Sequence, residues 1–112
     1  MTTPYTLVAE LAESIEKPAD GTLSRTLYQD ERLKVVLFSF SAGQELSEHT
    51  ASTPAVMYFL TGESDVTLGP DRVTARAGTW IHMQPHLLHS IRTRTPVAML
   101  LSLIKSSAGG EN

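Results

Sequence analysis

Residues 47–63 read SEHTASTPAVMYFLTGE. A histidine stands near the start, a glycine near the end, and residues 55–60 between them are apolar, β-branched or aromatic. A run of that kind closed by a Gly turn predicts a β-strand. Side chains alternate across a strand, so Ala55, Met57 and Phe59 share one face. One histidine at the entrance to such a strand has the look of half a metal site.

The rest of the chain follows the same strand-and-turn rhythm. Upstream, YTLVAELAESIEK places Leu7, Val8, Leu11, Ala12 and Ile15 at helical spacing, and Pro18 stops the pattern, which predicts a short helix or helical turn. PADG is a turn. SRTLYQD and LKVVLFSF read as strands joined by a charged turn, the second apolar on both faces. SDVTLGPDRVTARAG reads as a hairpin turning at GPD. TWIHMQP is a strand that breaks at Pro85. LLHSIRTRT puts His89, Ile91 and Thr93 on one face and Leu88, Ser90 and Arg92 on the other. PVAMLLSLIK closes the fold as a buried strand, and SSAGGEN is expected to be a disordered tail. About eight short strands with Gly and Pro turns predict an all-β antiparallel sandwich or barrel. Residues 1–20 are read as an N-terminal segment with the short helix, 21–105 as the barrel and 106–112 as the tail.

The chain has 112 residues, enough for one domain with a real core. Its net charge of −3 argues against nucleic acid as a partner. No cysteine is present, which removes disulfides, thiol nucleophiles and thiolate metal sites. No apolar run is long enough to span a bilayer, and the acidic N-terminus does not read as a signal peptide. The expectation is a soluble cytoplasmic protein with no membrane partner. No G-x-S-x-G elbow accompanies the serines, so a hydrolase triad is not expected. Arg92 and Arg94 at a strand end read as a solvated edge.

Two segments resemble the motifs of the cupins. The first cupin motif runs Gly, five residues, His-x-His, three or four residues, Glu, six residues, Gly. Here Gly43 is followed by five residues and His49, and the run ends at Gly62. The second runs Gly, five residues, Pro-x-Gly, two residues, His. Here Gly78 is followed by five residues, QPH, two residues and His89. The stretch from about Ser24 to Lys105 thus resembles a small single-domain cupin, a jelly roll of the RmlC-like type. The departures are as informative. Ala51 stands at the second histidine, Ala55 at the glutamate, Gln84 at the proline and His86 at the glycine. Of the family's usual four metal ligands, His49 and His89 remain.

The resemblance implies a small-molecule pocket around His49 and His89, floored by Ala51, Ala55, Met57 and Phe59, with His82 as a further candidate. A catalytic transition metal takes about three protein donors plus water. A third would have to come from His86, His82, Glu48 or Gln44, with His86 named beside His49 and His89 as the metal set. Two readings follow. One is a divalent metal (Zn, Ni, Fe or Mn) serving dioxygenase- or isomerase-type chemistry. The other is a metal-free binding or sensor protein with an apolar pocket, in which the histidines act as acid–base groups or only bond backbone carbonyls. Cupins commonly pair through sheet edges and exchanged terminal strands. LKVVLFSF and VAMLLSLI need cover on both faces, so a homodimer is expected, with Tyr58 and Trp80 as candidates for a pocket mouth or a dimer contact.

Overall fold

The computed structural model of the chain describes residues 4–105. Nine strands form it: β1 (Thr22–Gln29), β2 (Leu33–Phe40), β3 (Glu45–His49), β4 (Ala55–Thr61), β5 (Ser64–Leu68), β6 (Asp71–Ala75), β7 (Trp80–Met83), β8 (His89–Thr93) and β9 (Val97–Ile104). They make a five-stranded sheet in the order β1-β2-β9-β4-β7 and a four-stranded sheet in the order β3-β8-β5-β6. Every ladder is antiparallel. Apart from the neighbours β1–β2 and β5–β6, successive strands alternate between the two sheets, which is the arrangement of a jelly roll. The expected hairpin is present as β5–β6, with Val66 opposite Val73. β3 is the strand that the sequence pattern did not isolate. The tail predicted for 106–112 lies outside the described residues.

The inner faces meet in one core. Phe40, Ala55, Met57, Phe59, Met83, Val97 and Met99 come from the large sheet, and Val66, Ala75 and Ile91 from the small one. Sandwiches bury alternate residues of both sheets in this way. The two outer faces differ. On β9, β4 and β7 the outward rows are Ala98, Leu100, Ser102 and Ile104, then Val56 and Tyr58, then His82 and Trp80. These rows contain no Asp, Glu, Lys or Arg. On the small sheet the outward residues include Glu45, Asp65, Arg72 and Arg92.

The N-terminal segment shows a single 3-10 turn, Leu11–Ser14, the shorter of the two forms expected from the sequence. The turn has no side-chain cap and buries none of its residues, and Leu7 is 75% exposed. A helix this short needs a packed apolar face to hold it. Here the segment runs as a strap, tied to the large sheet by bonds from the Glu16 amide to Ser39 Oγ (3.2 Å) and from the Gly21 amide to Ser41 Oγ (2.9 Å).

Candidate functional site at the His49–His89 pair

His49 ends β3 and His89 begins β8, and the ladder sets them opposite one another. Their rings lie 4.2 Å apart between centroids and are tilted by 59°. The ladder reaches this pairing through a bulge. Leu46 faces Ile91, and the next match is His49 with His89, so three steps on β3 answer two on β8. In a regular strand Glu48 would share the face of Leu46. The extra residue turns His49 to that face instead.

The two rings are held alike. His49 Nδ1 lies 2.9 Å from the Ser47 carbonyl oxygen, and His89 Nδ1 lies 2.9 Å from the Leu87 carbonyl oxygen. Each Nδ1–H donates to its carbonyl, an assignment made from the bond geometry. That leaves Nε2 of each neutral ring as an acceptor. His49 is exposed, whereas His89 is 6% exposed. Burial pushes the His89 imidazole below its ordinary value of 6.5; the Leu87 carbonyl opposes this, and His49 adds a further push downward. The pair is therefore a wet ring beside a dry one, with Leu68 of β5 opposite His89.

The other candidates lie elsewhere. His82 pairs with Val56 on the outward face of β7, beside Trp80, and is exposed. It is not a pocket residue, because β7 turns Ile81 and Met83 inward instead. His86 sits in the β7–β8 turn with φ of 70°, exposed, and its amide donates to the Ala51 carbonyl at 2.7 Å. Glu48 is exposed, and Gln44 Nε2 donates to Asp20 Oδ1 at 3.4 Å. Among the described residues no group of three or more His, Cys, Asp or Glu is placed to hold a metal. Two imidazoles do not supply the three donors of a catalytic transition-metal centre. Ala55, Met57 and Phe59 do point inward, but as packed core with 2% exposure or less. Ala51 is half-buried at the loop that follows β3.

Arg92 and Arg94 are exposed and face Glu45 (3.9 Å) and Asp65 (2.7 Å), which fits the solvated edge read from the sequence. Sequence reasoning missed the cavities beneath the strap. Their signal was present in LKVVLFSF, whose second apolar face requires cover. No helix of the described chain is long and apolar enough to cross a membrane.

Solved structures share this architecture. A conserved protein of unknown function from Streptococcus pyogenes superposes with a TM-score of 0.83 at 27% identity, over 95% of this chain and 93% of that one. A cupin superfamily protein from Desulfitobacterium hafniense gives a TM-score of 0.83 at 25% identity, over 92% and 94%. KdgF from a Halomonas species gives 0.75 at 16% identity, over 93% and 96%, a likeness of fold alone. No family model and no curated protein matches the sequence.

Proposed function

Starting from a small cupin jelly-roll domain, we propose that the chain binds a small organic molecule at the His49–His89 pair without a resident three-donor metal. One observation carries this reading. Both Nδ1 atoms are engaged by backbone carbonyls in two rings 4.2 Å apart, so Nε2 is the nitrogen that each ring, in its neutral form, keeps as an acceptor for a ligand. A matching ligand carries a hydroxyl or N–H donor on an otherwise uncharged body. The buried ring, His89, stays neutral further into acid than a free imidazole and can also take a proton from such a donor as a general base. Dioxygenase- or isomerase-type metal chemistry would need a third ligand, and the residues near the pair do not provide one.

The test is elemental analysis of tag-free protein alongside thermal shift with neutral sugars, phenols and amides. The expected result is substoichiometric transition metal, indifference of Tm to chelators, and a ligand-induced shift lost in both His49→Ala and His89→Ala. A ligand that binds only the folded state raises apparent stability, which makes the shift a valid readout. Near-stoichiometric metal that disappears in both variants would sink this reading and restore the metalloenzyme.

We also propose that two copies pair through the outer face of β9, β4 and β7. Trp80 is 62% exposed beside Tyr58, on rows free of Asp, Glu, Lys and Arg. A sheet face of that composition is unusual for a surface left in water.

A further inference from the structure

Cavities follow the N-terminal strap where it crosses the sandwich. One of them, about 470 Å³, lies between the strap and the outer side of β1 and β2. The strap from Pro4 to Leu11 forms one wall, with Val8 and Leu11 beside the hydroxyl-bearing Tyr5 and Thr6, and Leu27, Tyr28, Leu33 and Val35 form the sheet wall. No Asp, Glu, Lys or Arg lines it. The volume falls within the range of pockets that hold small organic ligands, about 300 to 1,000 Å³.

Two features shape this space beyond a loose fit of strap on sheet. The ladder of β1 with β2 is broken by a bulge between Thr26 and Tyr28. In a regular strand Leu27 and Tyr28 would point to opposite faces. Across the bulge both line the cavity. The Tyr28 ring is also fixed at its far end. Its hydroxyl donates to Asp30 Oδ2, while Asp30 Oδ1 accepts from the amides of Arg32 (2.7 Å) and Leu33 (2.8 Å). With its proton committed, the Tyr28 oxygen still has lone pairs to accept a bond from a ligand.

We propose that this cavity is a second binding site, for one neutral molecule of two or three rings that carries at most a single hydroxyl or N–H donor. The strap is its cover, and the ligand supplies the apolar packing that the 3-10 turn lacks. A charged ligand is disfavoured because nothing lining the space would pair with it. The site is separate from the histidine pair, which belongs to the other sheet.

The experiment is a fluorescence titration of the full chain with 1-N-phenylnaphthylamine, a neutral dye that brightens in apolar surroundings, with 1-naphthol as competitor. The expected result is saturable binding of one dye per chain, unchanged in His49→Ala. Val8→Asp, at a half-exposed strap position, should weaken dye binding by roughly tenfold or more, since it brings a carboxylate to an uncharged cavity. Tyr28→Phe should weaken naphthol by about fivefold, the worth of one neutral hydrogen bond, and weaken the dye less, because its N–H is flanked by two aryl groups. Circular dichroism establishes that each variant is folded, and the tyrosine variant tests the site even if the strap variant is not. Absent dye binding overturns the proposal, as does dye binding indifferent to Val8→Asp in folded protein or lost in His49→Ala. Light scattering adds one more arm: a pairing of copies that Val8→Asp abolishes, with no dye bound to the wild-type chain, would assign the cavity to a second copy and overturn the proposal as well.

Discussion

His86 stands where the resembled motif has glycine, and the backbone explains why glycine suits that position. Its φ of 70° is left-handed, the one such value at a non-glycine among the described residues. A side chain there costs about 1 kcal/mol, although histidine tolerates it better than most. His86→Gly should therefore stabilise the chain by about 1 kcal/mol in urea unfolding. It should also leave any binding at His49 and His89 intact. A loss of binding with no gain in stability would give His86 a place in the site. His89 makes a second prediction at this scale. Burial lowers its folded-state value below 6.5, so between the two values the unfolded chain binds the extra proton. The stability it supports is complete above about 6.5 and is lost as pH falls through the lower folded value. Urea midpoints measured from pH 7.5 to 5 should decline, and His89→Gln should flatten that part of the profile. An unchanged slope in the variant would remove His89 as the cause.

Turns and bulges decide what the strands can present. Gly62 joins β4 to β5 at φ of 84°, and a Cβ there would sit 2.1 Å from the Pro96 carbonyl oxygen and 2.7 Å from a Val97 methyl. Gly43 has φ of 78° but open space around it. Gly62→Ala should cost about 3 kcal/mol or more, combining backbone strain with overpacking. Gly43→Ala should cost about 1 kcal/mol, from strain alone. Equal losses for the two in chemical denaturation would mean that the loop around Pro96 yields. The same level explains what the sequence revealed. Strand alternation was sufficient to group Ala55, Met57 and Phe59 on one face, and likewise His89, Ile91 and Thr93; the register of the resembled motif turned the first group inward, and the ladders place both groups there. It could not orient His82, because both faces of β7 carry apolar side chains and only the ladder with β4 separates them. Nor does alternation put His49 opposite His89, since the bulge in β3 breaks it; the motif spacing brought the two together. Of the short helix or helical turn expected from Leu7, Val8 and Leu11, the turn is what forms, because helical spacing alone does not supply a surface to pack against.

At the scale of the molecule, pairing is tested most directly at Trp80. Trp80→Lys places a charge at the centre of the uncharged rows, and light scattering should then report one copy where the wild type gives two. Charged groups at an interface core are strongly disfavoured. Persistence of the pair would move the contact elsewhere, and a wild-type chain that stays single at high concentration would end the idea of pairing. The unequal outer faces have a consequence that holds even for a single copy. The uncharged rows of β9, β4 and β7 form an aliphatic and aromatic patch, whereas the small sheet carries ionic groups outward, which gives the domain an amphiphilic character. Diluted until copies separate, it should gather at an air–water boundary with the patch of β9, β4 and β7 turned to the gas. It should lower surface tension more than the Trp80→Lys variant at equal concentration.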